Sequence, residues 1–145
     1  MRVSMKADYG MRALIDLAQH YGQGPVQTAD IARRQDIPEP YLDQLLTALR
    51  KAGFIRSRRG PQGGHQLSRP PAQITMGEVI QSLEGSLSPL PCLDAPEQCG
   101  QSPGCAQRDV WLAVAEATRD ILFGTTVSAL AERQVQREKA GAYQI

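Results

Sequence analysis

Three cysteines, Cys92, Cys99 and Cys105, fall within 14 residues of one Pro/Gly-rich stretch, Leu90-Pro-Cys-Leu-Asp-Ala-Pro-Glu-Gln-Cys-Gly-Gln-Ser-Pro-Gly-Cys105, and they are the only cysteines of the chain. Thiols crowded this closely look like a ligand set for a metal or a cluster. An odd number of cysteines is a poor disulfide framework, which adds weight to metal or redox chemistry. The stretch follows a basic region with the marks of a DNA reader, so the pairing reads as a sensor.

That basic region is hidden in the overall charge of +1. Residues 44–77 carry Arg50, Lys51, Arg56, Arg58, Arg59 and Arg69 and no Asp or Glu, whereas residues 1–43 hold five basic and six acidic side chains and residues 78–145 five and nine. A local basic face is what a phosphate backbone would meet. A solvated charged surface is the plainer alternative.

The elements that must position these groups follow from periodicity. A chain of 145 residues with only 5% aromatic content bounds one ordinary domain rich in packed helices. Tyr9, Met11, Ala13, Leu14, Leu17, Ala18 and Tyr21 recur at three- and four-residue spacing and predict a helix over 6–21. Thr28 is placed to cap a short helix over 29–34, and the chain breaks at 35–38. A longer helix over 39–52 tolerates Pro40 in its first turn and turns Leu42, Leu45, Leu46 and Leu49 to one side. Short helix, tight turn and amphipathic helix outline a helix-turn-helix, whose second helix enters the major groove by its N-terminal residues. Pro38, Glu39, Pro40, Tyr41, Asp43, Gln44 and Thr47 would be presented there, with Thr28 and Arg50 as further DNA contacts. Asp43 has two readings: it can accept from a cytosine amino group, or simply favour the helix N-terminus.

Two short extended runs between Phe54 and Ser68 flank a Gly60-Pro-Gln-Gly-Gly64 tip, the pattern of a β-hairpin with cationic flanks. A helix-turn-helix followed by such a hairpin describes a winged helix. Arg59 beside Gly60 at the tip is a candidate minor-groove or phosphate contact, while Arg56 and Arg58 track the backbone. Thr75-Met-Gly-Glu78 reads as a capping box opening a helix that ends at Gly85. After Cys105, Val110, Val114, Ala117 and Ile121 form an apolar stripe with Trp111, Thr118 and Leu122 beside it. So apolar a face needs a partner, either a second copy of the chain or the 6–21 helix of the same chain. Thr126 can cap a last helix over 127–138, with a frayed tail to residue 145.

The expected fold class is therefore mainly α, a winged helix-turn-helix with a small β-hairpin wing and a long C-terminal dimerisation helix. Its expected parts are a DNA-binding domain over 1–84, a cysteine-bearing loop over 85–107, and the dimerisation helix and tail over 108–145. With no run of about 18 apolar residues and no signal-peptide block, a cytoplasmic protein without a membrane partner is expected. No Cys-x-x-Cys, nucleophile-base pair or phosphate-binding glycine loop is present, so an enzyme such as a thiol oxidoreductase, and with it a small-molecule substrate, is disfavoured.

The opening Met1-Arg-Val-Ser-Met-Lys-Ala-Asp-Tyr-Gly-Met-Arg-Ala-Leu14, the Tyr41-Leu-Asp-Gln-Leu-Leu46 helix, the Arg59-Gly-Pro-Gln-Gly-Gly64 wing and the three late cysteines together resemble the IscR/NsrR family of bacterial regulators over residues 1–135. The resemblance implies a homodimeric winged-helix transcription factor, most readily a repressor, that binds a double-stranded DNA operator. It also implies an iron-sulfur cluster on Cys92, Cys99 and Cys105, whose state sets DNA affinity in response to nitric oxide, oxygen or iron. Zinc is the rival metal, although its structural sites favour close Cys-x2-4-Cys knuckles, and plain thiol oxidation or unused cysteines are further alternatives. In the IscR branch a histidine three residues after the last cysteine completes a [2Fe-2S] site; here that position is Arg108, which cannot ligate iron. In the NsrR branch an aspartate from the other subunit completes a [4Fe-4S] site, and Asp8 stands at the matching place, which favours [4Fe-4S] over [2Fe-2S]. Asp8 has an ordinary role as well, since an acidic residue in a helix's first turn is stabilising. Gln107 and Asp109 are weaker substitutes for the fourth ligand.

Overall fold

Ser4 starts the first helix by accepting the Ala7 amide at 3.2 Å, and its own amide donates to Glu84 at 3.0 Å, so the entry to the chain is tied to a segment 80 residues away. The structure is a computed structural model that describes residues 2–142. Its helices are α1 (Met5–Gln19), α2 (Thr28–Gln35), α3 (Glu39–Lys51), α4 (Met76–Glu84), α5 (Pro91–Asp94), α6 (Arg108–Phe123) and α7 (Val127–Ala142), with one antiparallel hairpin of β1 (Ile55–Arg58) and β2 (Gly64–Leu67). This is the mainly helical, winged architecture that the sequence leads one to expect.

α1 lies at the centre, packed by α2, α3, α4, α7 and β2. Ala7, Met11, Ala13, Leu14 and Leu17 of its buried face meet Leu42, Leu46 and Leu49 of α3, Val79, Ile80 and Leu83 of α4 and Val127 of α7 in one core. The expected helix over 6–21 stops earlier, and Tyr21 lies outside it, 46% exposed. The capping box of α4 is present in both directions between Thr75 and Glu78. Thr126 caps α7 through the Ala129 amide at 3.0 Å. α7 continues past residue 138 to Ala142, and the final residues of the expected frayed tail, 143–145, lie outside the described ones.

Two features set how the helix-turn-helix sits on this core. Asp16, 1% exposed, receives the Arg34 guanidinium at 2.9 and 2.8 Å and the Gln35 amide at 3.1 Å, which fastens α2 to α1. Asp36, in the left-handed region at φ 52°, then turns the chain towards α3, a conformation that Asp adopts more easily than most residues. The N-cap of α2 differs from expectation: Gln27 holds that position without a side-chain bond, and Thr28 is the first helical residue. The reason is that the Thr28 hydroxyl is taken by the wing, bonded to His65 Nε2 at 2.8 Å.

His65 Nδ1 also meets the Ser57 hydroxyl at 2.7 Å, and its main chain exchanges two bonds of 2.8 Å with Val26. Gly64, at φ 144°, must be glycine here because a Cβ would overlap the Val26 backbone. A second backbone tie closes the other end of the fold, where Val127 donates to Ile74 and Met76 to Thr125, both at 2.8 Å. Residues 77–124 leave and return through this neck. A Cβ at Gly77 would overlap the Phe123 ring, so the ends of α4 and α6 are in close apposition.

Two outcomes follow for stability. Arg34→Met leaves the Asp16 carboxylate without its cation in a place water does not reach, and urea unfolding should show a loss of about 3 kcal/mol. His65 is held below its ordinary pKa of 6.5, chiefly by burial, with Asp43 opposing the shift and Arg50 adding to it. The unfolded chain therefore takes up this proton first, and the stability contributed by neutral His65 is complete above pH 6.5 and is lost as pH falls towards the depressed folded value. Unfolding curves from pH 8 to pH 5 should show the wild type losing stability relative to His65→Gln below about pH 6.5.

Candidate nucleic-acid interface and cysteine loop

α3 buries Leu42, Leu45, Leu46 and Leu49 and leaves Glu39, Pro40, Asp43, Gln44 and Arg50 exposed, with Pro38 exposed just before them. Arg56, Arg58, Arg59 and Gly60 are exposed on the wing. The wing stays close to the start of α2, since the Gln27 amide donates to the Pro61 carbonyl at 3.2 Å. The outward side of α3, the start of α2 and the cationic hairpin thus form a continuous surface with alternating protein ridges.

Three of the expected DNA residues already have protein partners. Tyr41 is half-buried, its ring edge-on to Tyr9 of α1 with centroids 5.8 Å apart. The Thr47 hydroxyl donates back to the Asp43 carbonyl at 2.9 Å. Thr28 is engaged by His65. Pro38, Glu39, Pro40, Asp43, Gln44, Arg50, Arg56, Arg58, Arg59 and Gly60 keep exposed surface for a duplex.

Reading by sequence missed His65 and Asp16. Both carried a signal. His65 shares a strand face with buried Leu67, two residues on, and pairs across the hairpin with Ser57. Asp16 falls three residues from Ala13 on the apolar side of α1, and a carboxylate there must find a partner.

The cysteine loop runs from Gly85 to Gln107 as short turns: α5, then 3-10 turns at Pro96–Gln98 and Ser102–Gly104. None of these turns buries a residue. Asp94 holds the first turn by accepting from the hydroxyls of Ser86 and, at 2.6 Å, Ser88, and these bonds keep its carboxyl below the usual range. Cys92, Cys99 and Cys105 are free thiols, each half-buried. Among the described residues no three His, Cys, Asp or Glu side chains converge on a point that could hold a metal ion. The donor set itself, three soft thiolates on a segment with no core to disturb, fits a cluster completed from outside this chain better than a preformed zinc knuckle.

Arg108, which stands where an imidazole ligand is expected in the IscR branch, begins α6. Its Nε is buried without a hydrogen-bond partner beside a cleft lined by Glu97, Cys105 and Asp109. Gln107 accepts the Trp111 indole N–H at 3.1 Å and is committed to that bond.

Asp8 is exposed in the first turn of α1, and its carboxylate reaches only Arg12, at 3.9 Å. Arg12 in turn donates to the Gln35 carbonyl at 2.7 Å and stacks over Tyr9, 5.1 Å from the ring centroid. Tyr9 touches Tyr41. Asp8 is therefore two contacts from the end of α2 and three from α3.

α6 packs against α4 and buries no residue fully, while α7 packs along α1. The fold-back onto the first helix, one of the two roles considered for the long apolar helix, is thus performed by α7. Val110 (63% exposed), Ile121 (68%), Val114 and Trp111 leave an apolar stripe of α6 open. No helix among the described residues is long and apolar enough to cross a membrane.

Residues 3–133 match the Rrf2 family, described as iron-dependent transcriptional regulators. Among curated relatives, the transcriptional regulator CymR of Bacillus subtilis is 37% identical over 131 residues, 90% of each chain, and the regulator IscR of Aliivibrio salmonicida is 35% identical over 138 residues, 94% of this chain and 82% of that one. Among solved structures, CymR, described as the global cysteine regulator of B. subtilis, superposes with a TM-score of 0.80 at 36% identity over 92% of this chain and 98% of that one. The IscR of T. potens superposes with a TM-score of 0.76 at 39% identity over 92% and 88%. With winged-helix geometry, a cationic hairpin and this extent of similarity in hand, the chain belongs to the Rrf2 family of DNA-binding transcriptional regulators.

Proposed function

We propose that the protein is a homodimeric repressor whose operator affinity is controlled by an iron-sulfur cluster, held by Cys92, Cys99 and Cys105 and by Asp8 of the partner subunit. The observation that carries this reading is the cysteine loop: three unpaired thiols within 14 residues, on turns that bury nothing, beside the winged helix. Fold stability does not require these side chains, so another demand must account for them. The open stripe on α6 supports the second copy.

A bound cluster of this kind supplies a redox-active, acid-labile iron centre, and a carboxylate on one iron is an exchangeable corner that oxygen or nitric oxide can reach. The chain's own residues then provide the coupling. When Asp8 is withdrawn from Arg12, Arg12 is left to the Gln35 carbonyl and the Tyr9 face. That shift is felt where α2 ends and where Tyr9 meets Tyr41, which is how a change at Asp8 would alter the presentation of α3. Asp8, exposed and weakly paired, is free to serve, and [4Fe-4S] is the cluster type this ligand set favours.

A second reading has a specific observation in its favour. The thiols stand free without converging, as expected of a regulator that responds by thiol oxidation, and one similar structure is described as an oxidised form of Staphylococcus aureus CymR.

Anaerobic purification separates the two. A brown protein with matched iron and acid-labile sulfide is expected, and a colourless one with zinc or only free thiols removes the cluster. Changing all three cysteines to Ser should abolish iron content and make operator affinity insensitive to oxidant, whereas an unchanged oxidant response would defeat the proposal. Asp8→Ala should keep iron but alter the Mössbauer and resonance Raman spectra; identical spectra would remove the aspartate from the ligand set.

A further inference from the structure

The hairpin that carries Arg56, Arg58 and Arg59 has four residues per strand, and a lone hairpin of that size is marginal in water. Beyond Ile55 and Leu67 it has little core to rest on: Ser57, Arg58, Arg59 and Gly60 are all exposed. What fixes its direction must come from side. One side chain spans the gap. His65 sits in β2, its ring half-buried, with Nδ1 on Ser57 of β1 at 2.7 Å and Nε2 on Thr28 of α2 at 2.8 Å. Its amide and carbonyl are both paired to Val26, so the ring cannot swing away without breaking the short bridge that leads into α2. Asp43 and Arg50 of α3 are the charged groups near enough to act on the ring. The wing, the first helix of the helix-turn-helix and the DNA-facing side of α3 therefore meet at this imidazole.

We infer that His65 is a positioning residue for DNA binding: by bridging Ser57 and Thr28 it holds the Arg58 and Arg59 tip in a fixed relation to α3. Both hydroxyls can donate or accept, so the two-sided bond is satisfied by either tautomer of a neutral ring. Without the bridge the hairpin keeps its ladder but loses its angle. Arg59 then searches for the duplex instead of being delivered to it, and the ordering that the clamp had supplied must be provided on binding.

The inference rests on the family's DNA binding and not on the cluster, and it is tested by a double-mutant cycle. The probes are a duplex selected from random-sequence DNA by the wild-type protein and a scrambled duplex of the same length. His65→Ala should weaken binding to the selected duplex by about tenfold, with the scrambled duplex and the thermal midpoint little changed. The slope of log affinity against log salt should fall by about one unit, as one wing phosphate contact is lost. Arg59→Ala should cost about tenfold in the wild type but no more than about threefold once His65 is Ala, because the clamp acts through the wing. Should His65→Ala fail to fold, Ser57→Ala removes one arm of the bridge and carries the same cycle. Equal losses from Arg59→Ala in both backgrounds would overturn the inference.

Discussion

A carboxylate that cannot reach water organises this molecule. Asp16 is buried on the central helix, and it is tolerable there only because Arg34 and Gln35 bring it three hydrogen bonds from α2. The pairing is reciprocal, for the carboxylate also raises the pKa of Arg34, chiefly through the hydrogen bond between them. His20 keeps its distance from the charge: its Nδ1 lies 2.8 Å from the Asp16 carbonyl and 3.7 Å from the carboxylate. An apolar contact in this place would let α2 slide or roll by a fraction of a turn. A bidentate guanidinium does not, and α2 in turn sets the left-handed step at Asp36 and the direction in which α3 leaves.

The same helix reports outward. Its first turn offers Asp8 to the surface, its next turn places Arg12 on the end of α2 and over Tyr9, and its interior turn holds Asp16. A helix is stiff over these three turns, so events at its start and the pose of the reading helix are mechanically related. The cysteine loop is the opposite kind of material, a run of turns with no buried residue, able to adjust around what it binds. A rigid reader joined to a compliant receiver suits a regulator of DNA binding.

Much of this was legible in the residues. The leucines of α3, the Thr75 and Glu78 capping box and the glycine-rich wing each follow from a local rule, and each is present as read. Thr28 was placed as a cap because local rules favour that role, but a partner 37 residues away took its hydroxyl. Non-local partners are what periodicity cannot reveal. The same limit hid the reach of Ser4 to Glu84 and the division of labour between α6 and α7, since both helices carry apolar residues at helical spacing and only packing decides which lies on α1. In the cysteine loop, residue types speak for soft-metal chemistry, yet the assembled geometry depends on groups that one chain does not bring together.

The neck formed by Ile74, Met76, Thr125 and Val127 has a consequence for how the sensor half can evolve and move. Because the excursion over 77–124 begins and ends at neighbouring points of a small ladder, its contour length is decoupled from the core: residues added to or removed from the cysteine turns alter only the circumference of a closed hoop. Lengthening such a hoop costs little, about 0.6 kcal/mol for each doubling. Relatives could therefore exchange one receptor chemistry for another within the hoop while the reading head beneath it stays as it was.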